Sequence, residues 1–390
     1  MSVLVQLFAN RQFQCIALVQ MLTVFSTNVL APILPVHFKL QGLSEAEIGF
    51  VMGIVSLGAL VVRPWSGMSV DLRGSRWTIL FGQILTLTGI AAFIWTTNFW
   101  PLLLIRFFQG IAMAFYGTGS ITFASGVETP ENTSAAIAYF SLFTMIGLGI
   151  GTSVAPLVYG KAGFTPVIAI SLTSVLGALL FMRFYSKPLP RCESSLRAPF
   201  RAVLTMKVVL APSVCLFASN FALGTAFTFV PLLSLAKGIE HYFVFFVAFS
   251  IAVVCARLGV QAINSRWGPE RTSIGASLLN ALSALLLAAL PSVITYAVAG
   301  ILIGLGFGIV YPTLAGYLVQ HVNPANKGTA LSILSGAGDI GNALGASVLG
   351  IVAQTLGFTA VFSGAALVIA ACTYYFHSAL LGRRQPGMDH

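Results

Sequence analysis

The chain has 390 residues, of which 57% are hydrophobic and only 8% charged, with a mean hydropathy of +0.93. A soluble globular domain carries about 25% charged residues, so the composition excludes one and points to an all-α polytopic membrane protein. The formal net charge of +10 follows membrane topology, as the loops show below, and gives no reason to expect nucleic-acid binding.

A helix crosses roughly 30 Å of hydrocarbon with about 20 apolar residues, and lipid offers no partner to exposed backbone, which leaves helices or closed barrels. Long apolar runs, rather than ten-residue alternation, select helices. Twelve spans are predicted near residues 13–37, 47–70, 77–96, 101–125, 134–160, 165–185, 208–236, 242–264, 272–290, 293–319, 328–355 and 358–381. With the N-terminus inside, 14 of the 20 Lys and Arg fall in cytoplasmic loops, and only Lys39, Lys161 and Lys237 fall outside. This asymmetry predicts both termini on the cytoplasmic side.

In chain order, the first run continues through Pro32 and Pro35 to His37. It is too long for a signal peptide with a small-residue cleavage site, so a mature helix is expected, with its prolines as natural kinks; Pro231 is another such place. Asn28 is an uncharged polar group inside it. The second run carries Arg63, then a polar segment from Gly67 to Arg76 that includes Asp71, Arg73 and Gly74. This segment reads as a loop between two spans. The fourth holds Arg106, Gln109 and Tyr116, with Trp95 and Trp100 placed for an outer aromatic belt. The fifth holds Gly147, Gly149 and Gly151, which permit close helix contact, and Pro156, which is expected to bend it. Residues 187–207, with three prolines and five Lys or Arg, form a basic linker between the groups 1–186 and 208–390. Asn220, Arg257, Tyr311 and Asp339 follow in the second group. Such neutral polar groups are more often helix-packing contacts than ligand contacts. The five cysteines show no CxxC spacing, so neither disulfides nor a metal site is expected.

The second group repeats the first at an offset of 194 residues. Gly74 matches Gly268, Arg63 matches Arg257, Gly147 and Gly151 match Gly341 and Gly345, and Pro130 and Asn132 match Pro324 and Asn326. Asp71 is met only by Ser265, so any gating by this acid is expected to be one-sided. A duplicated six-helix unit explains these matches together and is a mark of transporters that bind substrate near mid-membrane.

Ionisable groups inside spans cost about 2.5–3.5 kcal/mol each on insertion scales, which makes each a functional candidate. Arg63 lies eight residues before Asp71, about 12 Å into the membrane, and Asp339 lies about 18 Å in, twelve residues beyond Lys327. Asp339 is the membrane carboxylate and a candidate proton carrier, because a carboxylate partly withdrawn from water can titrate near neutrality. A permanent ion pair with Arg63 or Arg257 is the structural alternative. Three membrane arginines against one acid leave surplus positive charge, which an anionic or zwitterionic substrate would offset. Carbonyls and water are the other way to satisfy it. Asp71 could accept from helix amides, or pair with Arg73 or Arg76, and so latch the cytoplasmic side.

Several of these residues carry a resemblance to the major facilitator superfamily. Gly67-xxx-Asp71-x-Arg73-Gly74-x-Arg76 resembles its loop 2–3 motif GxxxD(R/K)xGR(R/K), with Leu72 and Ser75 departing from it. Arg106-xx-Gln109-Gly110 resembles its RxxQG motif. Gly151-xxx-Ala155-Pro156-xx-Tyr159-Gly160 resembles the GxxxGPxxGG motif of its antiporter branch, with Ala155 and Tyr159 departing. Arg63-Pro-Trp-Ser-Gly67, Thr228-Phe-Val-Pro231-Leu, Tyr311-Pro-Thr-Leu314 and Asp339-Ile-Gly341 resemble the bacterial staphylopine (metallophore) and sugar-efflux exporters. The resemblance implies twelve helices in two pseudo-symmetric six-helix bundles, a cavity faced by Asn28, Tyr116 and Asn220, and the second and eleventh spans meeting, which favours Arg63 as partner of Asp339. It also implies a part for Arg106 in proton coupling or substrate contact, and for Gly147, Gly151, Pro156 and Gly160 in limiting proton leak. Gln109 and Tyr311 complete the expected cavity set.

The expected function is secondary transport by rocking-switch alternating access, most simply proton-driven export, by a monomer in a bacterial inner membrane, with a small molecule, protons and the bilayer as partners. No GxxxxGK(S/T) motif is present, so neither ATP hydrolysis nor a cofactor or enzymatic reaction is expected. A proton-coupled uptake symporter uses the same fold. A sensor that binds without transporting is a third reading, separable by counterflow in proteoliposomes.

Overall fold

The computed structural model describes residues 10–96, 98–126, 133–184, 200–323 and 326–381. These are helical: α1 Arg11–Leu30, α2 Leu34–Leu40, α3 Glu45–Arg73, α4 Ser75–Ala92, α5 Phe99–Gly126, α6 Thr133–Ala162, α7 Phe164–Phe181, α8 Phe200–Leu204, α9 Lys207–Lys237, α10 Phe243–Ala289, α11 Val293–His321 and α12 Lys327–Leu381. The predicted Pro130/Asn132 match and most of the basic linker lie outside the described residues. Among those described, nine helices are long and apolar enough to cross a membrane, α1 and α2 counting together. Their outer faces leave large apolar side chains open, such as Leu258 at 70%, Ile294 at 77% and Leu367 at 72%. In water such a surface would be an aggregation liability, whereas in lipid it is matched.

Helix starts follow local chemistry. Asn10 caps α1 by accepting from the Gln12 and Phe13 amides at 3.1 and 3.3 Å. Ser44 and Glu47 form a capping box before α3: the Ser44 amide donates to Glu47 Oε2 at 2.8 Å and the Glu47 amide to Ser44 Oγ at 3.3 Å. Residues 31–33 interrupt the first span at Pro32, and Pro35 opens α2. Pro231 and Pro156, by contrast, lie inside continuous α9 and α6.

The segment Gly67–Arg76 departs from the expected loop. Helix α3 runs to Arg73 and α4 starts at Ser75, so Gly74 alone turns the chain, at φ 86° and ψ 161°. A side chain is disfavoured at that φ, and glycine is not. Gly268 does the same inside α10 (φ 78°, ψ 157°), Gly163 between α6 and α7 (φ 79°, ψ −165°), and Gly357 inside α12 (φ 79°, ψ 175°). The pairs Gly74/Gly268 and Gly163/Gly357 each stand 194 residues apart. The 47-residue α10 and 55-residue α12 are thus each two helices joined at one residue.

Contacts group the chain into two compact units, one of Met1–Leu43 and Ile54–Glu193, the other of Ser44–Gly53 and Ser194–His390. In the first, Phe13, Ile16, Val19, Ile79, Phe123 and Phe140 form an apolar cluster, and α1 crosses α6 closely. A Cβ on Gly151 would lie 2.9 Å from the Phe25 carbonyl oxygen, and one on Gly147 would overlap that of Met21. In the second, α9 crosses α12 in the same way, with Gly341 and Gly345 against the carbonyls of Phe217 and Phe221. The start of α3 packs here too, Gly49 lying against Gly350 and Gly53 against Ser347. Each unit therefore builds the same glycine crossing from its own sequence.

Candidate functional site

In the first unit, α1 presents a polar seam to three neighbours. Gln83 of α4 donates to Thr23 Oγ1 at 3.1 Å, Ser171 of α7 donates to the Ser26 carbonyl at 2.7 Å, and the Tyr116 hydroxyl of α5 approaches Thr27. Asn28 closes the seam, its Nδ2 donating to the Val24 carbonyl at 2.8 Å and to Thr27 Oγ1 at 3.4 Å. Asn28 and Tyr116 are therefore brought together through Thr27. Tyr116 is buried and Asn28 half-buried.

Two turns and more toward the start of α5, Arg106 Nη1 donates to Gln109 Oε1 at 3.1 Å. Gln109 is buried, and its Cγ occupies the space that a Cβ on Gly89 would need. Spacing of three residues along a helix puts both side chains on one face, so the RxxQG pattern here builds one polar pair. Arg63 is half-buried on α3. Beneath it, Ser66 donates to the Arg63 carbonyl at 2.9 Å and lies 3.0 Å from Thr118 Oγ1 of α5.

At the Gly74 turn, Asp71, Arg73 and Arg76 are exposed. The Arg73 guanidinium sits 4.4 Å over the Trp77 ring, a cation–π contact across the hinge. The helical geometry does not favour a pair of Asp71 with Arg73 or with Arg76. Residues two apart on a helix do not face each other, and Gly74 turns Arg76 onto the next helix. A Cβ on Gly67 or Gly160 would meet nothing within 4 Å, so packing does not account for those two motif glycines. Pro156 is buried within α6.

One polar cluster of this unit was missed in the sequence. His37 stacks on Phe164 with centroids 3.7 Å apart and planes at 13°. Its Nδ1 lies 3.2 Å from the Tyr159 hydroxyl and its Nε2 accepts from Gln41 Nε2 at 2.8 Å. Tyr159 is one of the residues that depart from the antiporter pattern, and that departure was the available signal: the tyrosine supplies a partner to the histidine at the end of α2.

In the second unit, Asn220 of α9 donates to the Leu216 carbonyl at 3.1 Å and abuts Gly338 of α12, whose Cβ would lie 3.0 Å from its Nδ2. Asp339, half-buried, comes next in α12. The Arg257 guanidinium lies 6.0 Å from the Tyr311 ring centroid. Among the described residues no group of three metal-ligating side chains occurs.

The family model described as Major Facilitator Superfamily matches residues 16–346 and 245–389. The staphylopine export protein of Staphylococcus aureus is 26% identical over 350 residues, covering 86% of this chain and 87% of that protein. In structure, a mutant of the nucleoside transporter NupG aligns with a TM-score of 0.79 at 15% identity, covering 94% and 98% of the two chains. The human organic anion transporter MFSD10 aligns at 0.72 and 16%, covering 94% and 99%.

Proposed function

Because this chain belongs to the Major Facilitator Superfamily, we propose that it is a secondary active transporter, specifically a proton-coupled exporter of a small amphiphilic, anionic or zwitterionic molecule. The observation that carries the reading is the similarity along nearly the whole chain to a staphylopine export protein. Twelve spans follow when α10 and α12 are each counted as two at Gly268 and Gly357 and the 18-residue α4 is added to the nine apolar helices. Both termini then lie on the cytoplasmic side of a bacterial plasma membrane, as the Lys and Arg distribution requires, and the chain works as a monomer in two helical bundles divided near residues 187–207.

Rocking-switch exchange needs a group that gains and loses a proton as the site faces each side, and binding groups that survive the change. Asp339 serves the first need, with Arg106 and its partner Gln109 beside the cavity. Asn28, Tyr116, Asn220 and Tyr311 supply neutral contacts. Asp71, exposed in the last turn of α3 with Gly74 behind it, acts as a cytoplasmic latch on the amides of a facing helix in the outward-open state. Asp71→Asn is therefore expected to weaken that state; single cysteines placed on the cytoplasmic side should become more accessible, and unchanged accessibility counts against the latch.

The test of the function is transport itself. In everted vesicles an imposed proton gradient should drive accumulation of compounds that cells lacking the protein retain, and reconstituted protein should show counterflow of the same compounds. Accumulation only in right-side-out vesicles with an inward proton gradient would indicate uptake, and absence of counterflow would indicate a receptor.

A further inference from the structure

The part of α10 before Gly268 has two unlike sides. Ile251, Cys255 and Leu258 follow one another at intervals of four and three residues and are exposed, Ile251 at 61% and Leu258 at 70%, which makes them one apolar side. Ser250, Arg257, Gln261 and Asn264, at intervals of seven, four and three, share another side. This polar strip is anchored to α11, since Asn264 and Thr313 exchange hydrogen bonds at 3.1 and 3.2 Å. Two turns back along α10, Arg257 faces Tyr311 of the same α11.

The bonding of Arg257 is incomplete. Its Nε is shielded and has no acceptor, and no described carboxylate pairs with it. The side chain as a whole is half-buried. A guanidinium eleven residues from the hinge, about 16 Å along the helix, needs an anion, because the ring of Tyr311 offers only partial compensation. Leu258 and Ile251 lie about 100–120° round the helix from Arg257, so the guanidinium belongs to the polar strip and not to the apolar side.

We propose that Arg257, steadied by Tyr311, anchors a carboxylate group of the transported molecule. The two Nη groups form a planar fork that matches the two oxygens of a carboxylate, and surroundings of low polarity strengthen each charged hydrogen bond. The internal repeat sharpens the assignment. Arg63 is the counterpart of Arg257 in the first half, but the counterpart of Tyr311 is Gly117, so the arginine-over-tyrosine pair belongs to the second half alone. The inference depends on the transporter reading for the word "transported", but the site itself is a binding site and is tested as one.

The experiment is thermal unfolding of the purified full-length protein in detergent, with matched acids and amides as probes: histidine and histidinamide, succinate and succinamide, N-acetylphenylalanine and its amide. At least one acid should raise the unfolding midpoint by a few degrees at about a hundredfold excess over its dissociation constant, and its amide should not. Arg257→Gln should abolish that shift while keeping the unliganded midpoint; should it fail to fold, Arg257→Lys, which keeps the charge and loses the fork, should weaken the acid about tenfold. Tyr311→Phe should retain the shift and Tyr311→Leu should reduce it. The proposal is overturned if no acid stabilises, if acid and amide stabilise alike, or if the arginine variants respond as the wild type does. Binding is read without a gradient, so acid binding with no counterflow would reject the transporter reading alone, whereas counterflow unaffected by Arg257→Gln would reject this site alone.

Discussion

Replacing Asp339 by Asn is expected to reduce gradient-driven transport to the level of empty vesicles while leaving ligand binding measurable. The chain has ten acidic residues. Among the described ones, Glu45 and Glu47 lie in the first turn of α3, Asp71 in its last turn, Glu240 in the turn between α9 and α10, and Glu270 two residues past the Gly268 hinge. Asp339 alone stands deep in a helix, twelve residues after Lys327 and next to the Gly338 that abuts Asn220. A carboxyl at that depth costs insertion energy and so calls for a use. The amide has nearly the same shape and can still hydrogen-bond, but it cannot carry a proton. The substitution therefore separates chemistry from packing. The measurement is paired: counterflow without a gradient, and accumulation with one. Full gradient-driven activity of Asp339→Asn would remove Asp339 from the coupling step.

The second large effect concerns folding. Gly341→Leu should lower the unfolding midpoint sharply and reduce the yield of monodisperse protein, because the first added carbon would already overlap the Phe217 carbonyl of α9. Backbone cannot step aside as a side-chain tip can, so the two helices must separate. Overpacking in a close-packed core costs about 1–3 kcal/mol, and here the lost crossing adds to it. Gly147→Leu should behave alike in the first unit, where the Met21 carbonyl occupies the same space. Gly160→Ala is the control: it meets open space and should stay within about 0.5 kcal/mol of wild type. If Gly341→Leu and Gly160→Ala unfold at the same temperature, the close crossing does not stabilise the fold.

Much of this was legible in the sequence because apolar length and glycine position act locally. Runs of about 20 apolar residues can be little but helices in lipid, and the 194-residue repeat of Gly147 and Gly151 marked both crossings before any contact was known. The Arg106–Gln109 pair was legible for a similar reason, since a three-residue spacing fixes a shared face. The one-residue turn at Gly74 was not, because a polar stretch with charges reads as a loop when the helix on each side is judged by apolarity alone. Exposed helix ends are polar too. Gly163 and Gly357 were not legible as a pair because Lys161 beside the first has no charged counterpart beside the second. The His37 cluster depends on Tyr159 and Phe164, more than 120 residues away, and no periodicity encodes such a meeting. That Arg257 finds a ring rather than an acid depends likewise on the packing of α10 and α11.

The single-glycine turns have a mechanical consequence. Helices joined through one residue, as at Gly74, Gly163, Gly268 and Gly357, have almost no axial slack: sliding one past its neighbour by a turn, about 5.4 Å, would unravel backbone hydrogen bonds on one side or the other. Each such junction therefore fixes the axial register of the two helices that it joins. Whatever displacement the protein undergoes must be absorbed in its longer connections, such as residues 238–242 and 290–292. A few residues inserted there should be tolerated, while the same insertion at Gly74 or Gly357 would release the axial register of the two helices joined there.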